Sequence, residues 1–149
     1  EGVGGGKMKS WRGCAAAEQG GLVVPGGRGA AKKRSTCAVG GSDCTRNQDV
    51  EHAVKAMYKA GKPIGALCIA PVILAKVLAR GELTVGQDAP TANNLENMGA
   101  HHTQTTHGEI VVDRVNKMVS TPCYMLEARV DQIAEGAEKL VKAVLELTN

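Results

Sequence analysis

From Gly21 onward, short apolar runs alternate with longer stretches in which apolar residues return every three or four positions. Leu22-Val23-Val24 is a β-branched run halted by Pro25-Gly26-Gly27, the mark of a buried strand ending in a tight loop. Between Asn47 and Ala60, Val50, Ala53, Val54 and Met57 fall at i, i+3, i+4 and i+7, which predicts a helix stopped by Gly61. Pro63 to Leu67 predicts a second strand, and Pro71 to Ala79 a second helix closed by Arg80-Gly81. Leu83-Thr84-Val85 predicts a short strand. Thr91 to Met98 predicts a helix with Thr91 as a weak cap and Gly99 as its stop. Two apolar runs, 110–112 and 118–120, flank a polar stretch and predict a hairpin, and Pro122 to Leu147 predicts one long closing helix. Residues 1–20 show no sustained period. They are expected to form a poorly ordered or divergent segment ahead of a domain over 21–149.

Strand–helix alternation with short loops predicts an α/β domain whose mostly parallel sheet is covered on both faces. Functional residues in such sheets lie at the carboxyl ends of the strands. Two features occupy such ends: the glycine loop after Val24, and Cys68 after Leu67. Cys68 has alanines two positions away on either side (Ala66 and Ala70), and Pro71 opens the following helix. Small–x–nucleophile–x–small between strand and helix is the pattern of a nucleophile elbow, where larger neighbours would collide in the tight turn. A thiol there faces unpaired N–H groups at the helix start, which favour thiolate. The plainer alternative is a buried structural cysteine. Gly26, Gly27 and Gly29 let backbone N–H groups approach a ligand oxygen, and with the N–H of Ile69 they would make an oxyanion hole. The alternative is an ordinary glycine-rich turn.

Composition narrows the function classes. The 149 residues carry a net charge of +3, 43% hydrophobic and 22% charged residues, which are globular values. Lys32-Lys33-Arg34 lacks interleaved aromatics, so nucleic acid is not an expected partner. No apolar run reaches the ~18–20 residues that span a bilayer, so no membrane partner is expected. The five cysteines are odd in number and form no CxxC pair. With no signal-peptide pattern, that points to free thiols in a reducing compartment. With Phe absent, the core must be filled by aliphatic residues and Met. His101, His102, His107 and Asp113 match no zinc spacing, so no metal site is expected. The glycines before Lys7 lack the Ser or Thr and the preceding strand of a phosphate-binding loop.

Three ordered segments carry a family resemblance: Leu22 to Lys32, Lys62 to Pro71, and Thr121-Pro122-Cys123-Tyr124-Met125. From about Gly21 to the C-terminus the chain resembles the glutamine amidotransferase-like class 1 domain-containing protein 3 family, whose bacterial members are called enhancing lycopene biosynthesis proteins. The resemblance implies a flavodoxin-like three-layer sandwich of the PfpI-type superfamily. It also implies that the N-terminal part of the family fold, with its central first strand and an acidic residue near the cysteine, is missing or altered here. Arg28 stands where the family loop has Phe, and Cys37 where a Phe is usual.

Amidotransferases of this architecture pair the thiol with a histidine; here Ile69 follows Cys68, which argues against that activity. His102 stands where the family also tends to have histidine and is the candidate catalytic base, against the plainer reading of a satisfied or surface histidine. The superfamily's other chemistry is glyoxalase- or deglycase-type action on small reactive carbonyls, with Cys68 as nucleophile and no cofactor. The alternative is a non-catalytic binding or redox-sensing protein in which Cys68 oxidises reversibly to sulfenic acid. The resemblance further implies a homo-oligomer and a mitochondrial location, with the cytoplasm as alternative.

Overall fold

A computed structural model describes residues 15–27 and 48–148. The predicted alternation is realised as β1 (Leu22–Val24), α1 (Gln48–Lys59), β2 (Ile64–Leu67) and α2 (Ala70–Leu78), then β3 (Glu82–Leu83), α3 (Ala89–Asn97) and β4 (His101–His102). The hairpin strands β5 (Val111–Asp113) and β6 (Met118–Thr121) and the long α4 (Val130–Leu147) complete the order. Four strands form one sheet in the order β1-β2-β6-β5. Val24 lies beside Ala66, and Leu67 beside Thr121, in parallel register, whereas β5 runs antiparallel to β6. β3 and β4 make a separate two-stranded parallel sheet.

Strand alternation splits the core into two layers. Ile64, Ala66 and Met118 pack with Val50, Val54 and Met57 of α1 and the buried stretch Ala70–Ala75 of α2. Val119, on the other face, packs with Leu140, Ala143, Val144 and Leu147 of α4. This is the three-layer α/β/α arrangement with a mostly parallel sheet. Aliphatic side chains and methionine fill the space that phenylalanine would usually occupy.

Several boundaries move. The closing helix begins at Val130, not Pro122, because residues 123–129 cannot continue a helix. Cys123 sits at φ +46°, a single 3-10 turn spans Cys123–Met125, and Leu126 is extended at φ −114°, ψ 152°. The true helix start is Arg129, whose N–H donates to Gln132 Oε1 at 2.9 Å, the reciprocal bond of a capping box. α3 starts at Ala89, capped by Asp88, whose Oδ2 accepts from the Thr91 N–H at 3.1 Å, so Thr91 is capped rather than capping. The strand predicted at 83–85 ends at Leu83; the Thr84 N–H turns to Ser120 Oγ at 2.9 Å instead of extending a ladder. Among the described residues, no helix is long and apolar enough to cross a membrane.

Candidate functional site

The elbow is present. Leu67 ends β2, Ala70 begins α2, and Cys68 between them has φ +62°. A left-handed conformation at a residue with a Cβ costs roughly 1–3 kcal/mol and persists only where surrounding structure enforces it. Two contacts enforce it. The Cys68 N–H donates to the Thr121 carbonyl at 3.0 Å, extending the β2–β6 ladder one residue past the strand. From the other side, Gly26 presses so close that an added Cβ would stand 2.6 Å from both Cys68 Cβ and the Leu67 carbonyl oxygen. That same point lies 3.1 Å from the Ile69 nitrogen, so the loop backbone and the start of α2 share one small space. Gly27 turns the loop away at φ +103°.

A cavity of about 670 Å³ opens over this junction. Pro25, Gly26 and Gly27 line it from the end of β1, and Leu67, Cys68 and Ile69 from the end of β2. Cys123, Tyr124 and Met125 come from the turn after β6; Asp88 and Thr91 come from the start of α3, and Ile133 from α4. Asp88 is the one carboxylate among these residues. Cys68 and Cys123 are both free, half-buried thiols. Burial pushes the Cys123 thiol up from its ordinary value and the charge of Cys68 adds to this, opposed by hydrogen bonding from the Cys68 backbone.

The structure thus brings together Gly26, Gly27, Cys68 and Ile69, while Gly29 lies outside the described residues. His102 is elsewhere: it belongs to β4 in the small sheet and is not among the residues lining the cavity. Its N–H donates to Glu96 Oε1 at 2.7 Å, and its buried Nε2 has no hydrogen-bond partner. Burial lowers its pKa against the opposing pull of Glu96, and His101 lowers it further. His101 is exposed, with Nδ1 3.5 Å from Glu96, and His107 Nε2 meets the Glu127 carbonyl. Among the described residues, no group of three or more His, Cys, Asp or Glu could hold a metal ion.

Two site residues escape a reading of the sequence. Asp88 precedes Ala89-Pro90, and an Asp followed by a proline at the first helical turn is a readable cap signal. That signal finds the cap, not its place in the cavity. Cys123 follows Pro122, which reads as a helix start.

The DJ-1/PfpI family model matches residues 8–123, starting upstream of the Gly21 at which the motif resemblance begins. The chain is 43% identical over 152 residues to the human glutamine amidotransferase-like class 1 domain-containing protein 3, mitochondrial, covering 96% of this chain and 57% of that protein. It is 42% identical over 152 residues to the rat ES1 protein homolog, mitochondrial, with the same coverage of each. The chain therefore spans little more than half the length of these curated relatives. Among solved structures, an isoprenoid biosynthesis protein with amidotransferase-like domain from Ehrlichia chaffeensis superimposes with a TM-score of 0.80. That pair is 26% identical, covering 91% of this chain and 63% of the other. With an elbow cysteine at the carboxyl edge of a flavodoxin-like sheet and a family match over most of its length, the chain belongs to the DJ-1/PfpI family.

Proposed function

We propose that the chain acts on small reactive carbonyl compounds through the Cys68 thiolate. The observation that carries this reading is the left-handed elbow of Cys68, set at the mouth of a cavity large enough for a small metabolite. The thiolate adds to an aldehyde carbon, and the carbonyl π electrons move onto oxygen. The N–H groups of Ile69 and the Gly26–Gly27 loop supply donors for that oxyanion, a contribution of about 3 kcal/mol where one well-placed donor acts. Protonation gives a hemithioacetal. Moving a proton between adjacent carbons then needs an acid–base group in the cavity, and Asp88 is the carboxylate there. One of its oxygens is held by the Thr91 N–H, which fixes the direction of the carboxylate. His102 has no part in this scheme.

The test is consumption of glyoxal or methylglyoxal by the native chain, Cys68→Ser and Asp88→Asn. Turnover in the native chain, abolished in Cys68→Ser, is expected. Asp88→Asn should lower turnover by roughly 10²-fold or more, the scale of a lost general acid–base group, while iodoacetamide still labels Cys68. Equal turnover by native chain and Cys68→Ser overturns the reading. The human and rat relatives are named mitochondrial, and we extend that location to this chain.

A further inference from the structure

Cys123 has no role in the carbonyl chemistry, yet the fold holds it beside Cys68. The two cysteines leave neighbouring parallel strands almost level. Leu67 of β2 is paired with Thr121 of β6, Cys68 is one residue beyond the first and Cys123 two beyond the second. Paired strands lie about 4.8 Å apart, so the segments that carry Cys68 and Cys123 leave the sheet as immediate neighbours, on the scale of the roughly 4.4–6.8 Å Cα separation that a disulfide bridges. The bond from the Cys68 N–H to the Thr121 carbonyl carries this closeness past the strand ends. Both cysteines line the same cavity.

The backbone supplies an independent observation. Among the described residues, four with a Cβ adopt positive φ: Cys68, Ala79, Lys117 and Cys123. Ala79 ends α2, and Lys117 closes the β5–β6 turn, both ordinary places for that conformation. Cys123 at φ +46° ends no helix and closes no hairpin. Its conformation turns the chain just after Pro122 and leaves the sulfur on the cavity wall.

We propose that Cys68 and Cys123 form a peroxide-responsive pair, in which oxidation of Cys68 is resolved by Cys123 into an intramolecular disulfide. The Cys68 thiolate attacks the terminal oxygen of a hydroperoxide and breaks the O–O bond; sulfur loses two electrons and becomes a sulfenic acid, and the alcohol or water leaves. The Cys123 sulfur then attacks the Cys68 sulfur and forms the S–S bond. The S–O bond breaks, and the departing hydroxide takes the Cys123 proton as water. The oxidant is therefore the hydroperoxide, and a thiol reductant resets the pair. In the disulfide state the nucleophile is capped, so peroxide closes the cavity to carbonyl substrates and Cys68 is spared irreversible oxidation. The proposal shares Cys68 with the carbonyl reading but needs no turnover of any substrate.

The test is peptide mapping of the full chain after treatment with hydrogen peroxide, alkylation without reduction, and tryptic digestion. The expected product joins the peptides spanning 60–76 and 118–129, two hydrogens lighter than their sum, and dithiothreitol releases it. In Cys123→Ser, Cys68 should pass through a dimedone-reactive sulfenic acid and reach sulfinic acid several-fold faster than in the native chain. If the native chain gives no such joined peptide while Cys68 becomes sulfinic, the proposal fails. It also fails if Cys68 joins Cys14, Cys37 or Cys44 instead. The native-chain arm decides the matter even if Cys123→Ser does not fold, and because carbonyl turnover is not measured, its failure leaves the carbonyl reading standing.

Discussion

At the scale of single residues, the site rests on how little room surrounds Cys68. Gly26 is the clearest case, because the atoms an alanine methyl would strike are a backbone oxygen and the Cβ of the elbow residue itself. Neither can swing aside as a long side chain would. Gly26→Ala must push the loop off the elbow, an overpacking strain of about 1–3 kcal/mol. The expected outcome is a lower urea midpoint together with altered iodoacetamide labelling of Cys68, read on the peptide spanning 60–76. Unchanged stability with unchanged labelling would mean that the loop and elbow are not in contact. Gly26, Ala66, Cys68 and Ala70 were legible in the sequence because steric crowding leaves a local signature of small residues. Cys123 left none. A left-handed cysteine looks like any other cysteine, and Pro122 before it imitates a helix start. Asp88 shows as a cap but not as a cavity wall, since its place there depends on where α3 is carried by the rest of the fold.

Among the elements, Asp113 shows how short strands are held. It is buried at the end of β5, and its Oδ2 accepts from the Glu82 N–H at 2.9 Å and from Asn116 Nδ2 at 2.8 Å. Its Oδ1 accepts from the Asn116 N–H at 2.9 Å. One carboxylate thus ties the hairpin turn to β3, a strand too short to hold itself by its own ladder. Burial alone would raise the Asp113 pKa, but the bonds from Asn116, Glu82 and Val115 outweigh it and hold the carboxyl below its ordinary value. A depressed folded value means stabilisation that is present above the unfolded pKa of about 3.9 and lost as pH falls through the folded one. Asp113→Asn should therefore cost about 1–3 kcal/mol at pH 7, with the gap to the native chain narrowing toward pH 3. Urea denaturation at both pH values checks this; a gap that is constant with pH would show that the carboxylate charge does not matter. The periodicity of α1, α2 and the hairpin was readable because each has an apolar pattern of its own. The pairing of β3 with β4 was not, because two-residue strands have no pattern of their own; it is made by backbone bonds from the His101 N–H to the Gly81 carbonyl and from the Thr103 N–H to the Leu83 carbonyl.

For the whole molecule, the site lies at the carboxyl edge of the sheet while the packing that holds the closing helix lies against the body of the sheet, and this separates what mutations do. The cavity gathers the ends of β1, β2 and β6 with the starts of α3 and α4, as expected where parallel strands point their carboxyl ends together. Leu140, in contrast, is fully buried on α4 against the body of the sheet, where it packs with Val119 and Val144. Leu140→Ala removes that packing and should cost about 2–5 kcal/mol of global stability. Cys68 is already half-exposed in the folded chain, so its labelling needs no unfolding. Leu140→Ala should therefore lower the urea midpoint strongly while the native-state labelling rate of Cys68 stays within experimental error. If labelling instead accelerates in proportion to the lost stability, Cys68 reacts only through global opening. The cavity would then be closed to substrates in the folded state, and the elbow would serve the architecture of the sheet rather than chemistry.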